Sequence, residues 1–146
     1  MNSYDAAGRR DLLIDTEFGR TTYAYDAAGQ MTSLVNPDDD RTSYSYDVAG
    51  RRTVKELAND TRASYTYDNA NQLTLLGNLK SDSSVISSFD YRYDAAGRRT
   101  RVVESDGDRV TWTYDTASQL LAEHRGGADA YAHTFSYVSP NPEKAE

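Results

Sequence analysis

Cysteine is absent from the 146 residues, so the chain has no disulfide framework, no thiolate zinc site and no thiol nucleophile. Histidine is scarce too: His124 and His133 lack a third imidazole or thiol beside them, and no metal and no cofactor is expected. No run approaches the ~18 apolar residues that span a bilayer as a helix, so no membrane span is expected. The start, Met1-Asn2-Ser3-Tyr4-Asp5, has neither part of a signal peptide, and export would use a signal elsewhere. Positive charge is in deficit, with 16 Lys+Arg against 23 Asp+Glu and a net charge of −7, which argues against a nucleic-acid partner. Leu, Ile, Val and Phe together number only 23, a composition that taken alone points to disorder.

What the chain has instead is aromatic residues: twelve Tyr, three Phe and one Trp. Tyr-Asp recurs at Tyr4-Asp5, Tyr25-Asp26, Tyr46-Asp47, Tyr67-Asp68, Tyr93-Asp94 and Tyr114-Asp115, with spacings of 21, 21, 21, 26 and 21. Two residues before each Tyr after the first stands another ring: Tyr23, Tyr44, Tyr65, Tyr91 and Trp112. Phe135 and Tyr137 continue the series without the Asp. Thirteen of the 16 aromatic residues thus lie on one lattice, which describes six tandem repeats and a degenerate seventh over residues 1–138.

A 21-residue period is too short for a helical-hairpin repeat of ~33–47 residues, and rings at i and i+2 follow the strand period, so each unit reads as two β-strands and two turns. Both rings of a repeat fall on one face of the pleat, and this reading makes them the core. The following Asp-x-Ala-Gly fits a type I turn, with Asp bonding the turn's own backbone and a positive φ at the fourth position. Gly8, Gly29, Gly50 and Gly97 suit that position; Asn71 is the next best occupant and Ser118 a poorer one. The second strand ends at a variable polar turn such as Asn36-Pro37-Asp38-Asp39-Asp40, Asn59-Asp60 or Ser105-Asp106-Gly107-Asp108. The fourth unit has five extra residues, placed between Gly77 and Ser88 as a longer loop.

A second rhythm lies inside the first. Units one, three and five follow the turn with Arg-Arg (Arg9-Arg10, Arg51-Arg52, Arg98-Arg99), whereas two, four and six use Gln and an apolar residue (Gln30-Met31, Gln72-Leu73, Gln119-Leu120). Alternate hairpins face different surroundings, or the array grew by copying pairs. The first arginine is expected to pair across its turn, Arg9 with Asp5. Residues 139–146, with Pro140 and Pro142, read as a flexible tail.

The unit Tyr-x-Tyr-Asp-x-Ala-Gly-Arg, as in Tyr44-Ser45-Tyr46-Asp47-Val48-Ala49-Gly50-Arg51 and Tyr91-Arg92-Tyr93-Asp94-Ala95-Ala96-Gly97-Arg98, resembles the YD repeat of Rhs proteins. That family includes bacterial Rhs polymorphic toxins, the C component of Tc toxins, wall-associated proteins and teneurins. The resemblance covers about Ser3 to Tyr137 and implies a long β-sheet that spirals into a hollow shell, commonly around a C-terminal toxin domain. Complete shells have many more repeats, and neither an Asp-Pro-rich self-cleaving boundary nor a toxin domain occurs before Glu146. An internal piece of a shell or a short stand-alone array is therefore expected.

Other chemistry has weaker support. A catalytic acid/base pair needs two carboxylates in distinct environments within one cleft, whereas these Asp occur once per turn with a sufficient structural explanation. No Gly-x-Ser-x-Gly elbow and no phosphate loop is present. Asp38-Asp39-Asp40 and Asp106-Gly107-Asp108 lack the alternating ligands and distant Glu of an EF-hand and read as solvated turns. The sequence thus predicts an all-β array of hairpins in one curved, open antiparallel sheet. Its expected role is structural and non-enzymatic: a module of a secreted or cell-surface shell that encapsulates or presents a toxin or other polypeptide. Partners would be further YD repeats or the enclosed chain, with self-association through sheet edges, chiefly at Leu12 to Ile14. The alternative is an adhesion module that binds carbohydrate or protein through exposed rings or arginines.

Overall fold

A computed structural model of the chain describes residues 1–137; the expected tail at 139–146 lies outside the described residues. Thirteen strands follow one another: β1 (Asn2–Tyr4), β2 (Arg10–Ile14), β3 (Arg20–Tyr25), β4 (Met31–Val35), β5 (Arg41–Tyr46), β6 (Arg52–Glu56), β7 (Arg62–Tyr67), β8 (Leu73–Leu79), β9 (Val85–Tyr93), β10 (Arg99–Glu104), β11 (Arg109–Tyr114), β12 (Leu120–Gly126) and β13 (Tyr131–Thr134). They form one antiparallel sheet whose strand order is the sequence order, with β1 and β13 at its two ends. Contacts divide the chain into two units, Met1–Ser88 and Phe89–Glu146, with the division inside β9.

Each Asp-x-Ala-Gly segment is the expected turn. At Asp47 the Gly50 amide donates to the Asp47 carbonyl at 3.0 Å, the Asp47 amide donates to the Arg51 carbonyl at 2.9 Å, and Gly50 has φ +81°. A register shift between Ser45 and Tyr46 marks the bulge that fits this turn into the ladder. Ser118 adopts φ +66° and Asn71 φ +63°, so the poorer occupants accept the same backbone. The variable turns turn out to be the same turn: Asp39, Asp60, Ser83 and Gly107 sit at its fourth position with φ +61°, +59°, +69° and +94°. Even Phe18 is held there, at φ +65° and 87% exposed.

Three expectations need correction. The extra residues of the fourth unit do not form a long loop; they lengthen β8 and β9, which close on a turn of the same type in which the Ser83 amide donates to the Lys80 carbonyl. Hydrogen bonding inside a strand satisfies backbone groups that a loop would leave to water. Leu12 to Ile14 is no free edge either, because β2 pairs with β1 through Leu13 and Asn2 and with β3 through Leu12 and Thr22.

Nor do the rings build a ring-on-ring core. Among the described residues the buried hydrophobic side chains are Val102 and Val110, cross-strand partners on the ring-bearing face, while most lattice rings are half-buried. Equivalent rings of successive repeats are two strands apart, about 10 Å, beyond the ~4.5–7 Å of aromatic contact. The strand between them must fill the gap, and in the third repeat it does so with Arg52, whose guanidinium lies 5.9 Å from the Tyr44 ring and 5.0 Å from the Tyr65 ring.

Candidate functional site: the junction between repeats

Three kinds of contact recur where one repeat meets the next. The first explains why the lattice uses tyrosine. The ladder between β4 and β5 begins at Ser33 and Ser43, which leaves the Met31 carbonyl beyond it, and the Tyr46 hydroxyl donates to that carbonyl at 2.9 Å. In the same way Tyr25 donates to the Arg10 carbonyl at 2.9 Å, Tyr67 to Arg52 at 3.0 Å and Tyr114 to Arg99 at 2.8 Å. Phenylalanine would fill the space and leave the carbonyl unpaired.

The second contact is the first arginine of each Arg-Arg pair. Arg51 Nε donates to Asp47 Oδ2 at 2.7 Å, as Arg9 does to Asp5 and Arg98 to Asp94. The same guanidinium reaches into the next repeat. Arg51 Nη1 donates to the Asp68 carbonyl at 2.8 Å and to Asn71 Oδ1 at 2.9 Å, and the group lies 4.9 Å from the Tyr67 ring centre. Arg98 repeats this with the Asp115 carbonyl, Ser118 Oγ and Tyr114, and Arg9 with the Asp26 carbonyl and Tyr25. Asn71 and Ser118 are therefore bonded to an arginine, which a reading based on φ alone does not reveal.

Each turn carboxylate is held by its own loop. Asp47 Oδ1 accepts from the Ala49 and Arg51 amides at 3.0 and 2.9 Å. The backbone hydrogen bond from the arginine is the largest influence and lowers the pKa of Asp5, Asp47 and Asp94, and the arginine side chain lowers it further against the opposing effect of burial. Asp26, Asp68 and Asp115 accept from the backbone amide of the glutamine that stands where the arginine does, and make no ion pair among the described residues. Arginine thus joins unit one to two, three to four and five to six. Between units two and three the contact is Gln30, whose Nε2 would lie 2.9 Å from a Cβ at Gly50.

The third contact is the second arginine. Arg10, Arg52 and Arg99 make no ion pair among the described residues and lie against rings, Arg99 4.5 Å from the Tyr91 centre. Tyr23 and then Tyr4 hold the Arg10 pKa above its ordinary value. Trp112 departs from the pattern: its Nε1 donates to Glu123 Oε2 at 2.8 Å, and Tyr131 hydroxyl donates to Oε1, bonds that lower the Glu123 pKa, Tyr131 having the larger effect.

Other sequence candidates are scattered. His133 pairs with Glu123 and His124 with Thr111 and Ala132, which puts the two imidazoles on opposite faces. Among the described residues no group of three or more His, Asp or Glu side chains could hold a metal ion. Phe135 donates its amide to the Leu121 carbonyl, which extends the β12–β13 register to this ring after β13 ends.

Strand order, turn type, ring pairs and arginine clamps define a tandem β-hairpin array of the YD type. Residues 2–122 match the family model described as Teneurin YD-shell, and the chain belongs to this Rhs/YD-repeat family. No curated protein matches the sequence. Among solved structures, the crystal structure of TcdB2-TccC3-Cdc42 is 24% identical with a TM-score of 0.74, over 84% of this chain and 7% of that one. The Photorhabdus luminescens Tc holotoxin pore is 17% identical with a TM-score of 0.62, over 92% of this chain and 9% of that one. At these identities the likeness concerns the fold, and the chain spans less than a tenth of the length of these structures.

Proposed function

We propose that the chain is a wall segment of a secreted or cell-surface Rhs-type shell that encloses or presents another polypeptide. The observation that carries this reading is the junction: successive repeats complete one another's hydrogen bonding through Tyr hydroxyls, with an Arg contact added at alternate junctions, so adding repeats extends a wall. The family is one of structural shells. On this reading the array runs over residues 1–138, its partners are further YD repeats and the enclosed chain, and it performs no catalysis. Protease treatment of the complete gene product tests it. Intact non-repeat polypeptide that becomes cleavable only after denaturation supports enclosure. Cleavage of every non-repeat segment at the rate of free chain refutes it.

A further inference from the structure

The repeats serve as controls for one another, because a side chain with a purely structural task recurs at its position. On the face of the sheet opposite the rings, the fifth repeat departs at three positions. The residue between the two rings is Ala24, Ser45, Thr66 or Thr113 in other repeats, and its cross-strand partner is Ser33, Val54, Leu75 or Ala122. In the fifth repeat that pair is Arg92 and Arg101. The residue before the first ring is Thr22, Ser43, Ser64 or Thr111 elsewhere and Asp90 here. Three charged side chains thus replace uncharged ones, all within the Phe89–Glu146 unit.

The register places them together. Arg92, Arg101, Thr111 and His124 form one cross-strand row, and Asp90, Val103, Arg109 and Gly126 form the next row on the same face. Arginine also opens β3, β5 and β7, so Arg109 is no departure, but among the described residues it makes no ion pair. The group does not satisfy itself. Arg92 stands directly opposite Arg101, a like-charge pair that destabilises a sheet. Asp90 Oδ1 lies 3.3 Å from Arg92 Nε and 3.9 Å from Arg101 Nη2 but accepts no hydrogen bond, and the buried Arg101 Nε has no acceptor among the described residues. One carboxylate stretched between two guanidinium groups leaves donors unused on both. With Arg109 the cluster sets three arginines against one aspartate in a chain whose net charge is −7.

We propose that this face seats an extended acidic segment of a partner polypeptide, with carboxylates two residues apart. The first enters between Arg92 and Arg101, and the second reaches Arg109. Same-side residues of an extended chain are about 6.6–6.8 Å apart, which is also the spacing of the two rows, since the strand rise sets both. The surplus of positive charge makes a pair of carboxylates the complementary group. Phe89, Tyr91, Trp112 and Tyr131 project from the other face, so no platform for stacking bases or sugars adjoins the arginines. A long polyanion would also meet the net negative charge of the chain, whereas two carboxylates act on the local cluster. The inference uses the fifth repeat and its neighbouring strands and does not depend on the shell reading.

The test is an NMR titration of the isotope-labelled full chain, at low ionic strength, with the capped peptide Ser-Glu-Thr-Glu-Ser. The same peptide with Gln for Glu, a galacturonate trimer and a thymidine oligonucleotide are titrated separately. The Glu peptide is expected to saturate, to shift the Nε–H signals of Arg92, Arg101 and Arg109, and to bind at least fivefold tighter than each comparison ligand. Asp90→Ser removes the competing carboxylate and is expected to tighten binding at least twofold, which a purely structural ion pair would not do. Asp90→Ser, Arg92→Ser and Arg101→Val together install the set of the third repeat, Ser43, Ser45 and Val54, and are expected to abolish saturation. Arg92→Ser alone, expected to weaken binding at least threefold, decides the matter if the triple variant fails to fold. Equal binding of the Gln peptide, tighter binding of the uronide or the oligonucleotide, absence of saturation, no gain from Asp90→Ser, or full affinity of Arg92→Ser would overturn the proposal.

Discussion

Arg51→Gln replaces the clamp between the third and fourth repeats with the residue that alternate repeats use. The substitution removes the hydrogen bonds from Nη1 to the Asp68 carbonyl and Asn71, at 2.8 and 2.9 Å, and the stacking on Tyr67 at 4.9 Å. A charge-assisted hydrogen bond in this half-exposed setting contributes about 1–1.5 kcal/mol and a cation–π contact about 0.5–1, so a loss of about 2 kcal/mol is expected. The ion pair with Asp47 adds a part that salt screens. Repeat arrays open junction by junction, which makes hydrogen exchange the suitable assay. If local opening governs exchange, 2 kcal/mol corresponds to about 30-fold faster exchange of the amides in the β6–β7 ladder, with little change in the β2–β3 ladder. A double-mutant cycle with Tyr67→Leu should return a coupling of about 0.5–1 kcal/mol. Exchange at the β6–β7 ladder within about threefold of the parent, or zero coupling, would show that the arginine is a bystander.

Four further outcomes follow from the same contacts. Tyr46→Phe and Tyr67→Phe should each lose about 1 kcal/mol in urea melts, since each strands a carbonyl outside the ladder, whereas Tyr131→Phe should act on Glu123 alone. Gly50→Ala should lose about 1–2 kcal/mol, because φ is +81° and its Cβ would meet Gln30, while Ser118→Gly should be nearly neutral, strain relief offsetting the Arg98 contact. Phe18→Gly should stabilise by about 0.5–1 kcal/mol, as an exposed ring at φ +65° is a strained choice. The folded pKa values of Asp5, Asp47 and Asp94 are depressed, so their contribution is present above the unfolded carboxylate range and is lost as pH falls below about 4. Acid titration of Asp47→Asn by circular dichroism should show a shallower loss than the parent; equal slopes would contradict the assignment.

The lattice, the strand pairs and the Asp-x-Ala-Gly turns were legible because they are local: ring spacing gives the face, and Asp at the first and Gly at the fourth position give the backbone. The variable turns hide the same geometry, since their signature is split. Asn36 bonds the turn from its first position, whereas Asn59, Asp82 and Asp106 do so from the third, and only Gly107 has the expected fourth residue. The core was misjudged because a same-face argument says nothing of the ~10 Å between equivalent rings on alternate strands. The arginines carry that gap. Their alternation was visible, but that Arg51 reaches both Asp47 and the next repeat follows only once the two turns are seen side by side.

The central claim, that this array is a stretch of shell wall, is tested most directly by cryo-electron microscopy of the complete gene product. The account predicts that β1 and β13 each gain a hydrogen-bonded strand from flanking YD repeats, in the register of the internal junctions, and that the extended sheet surrounds another polypeptide. A map in which these two strands border solvent and nothing is enclosed would contradict it.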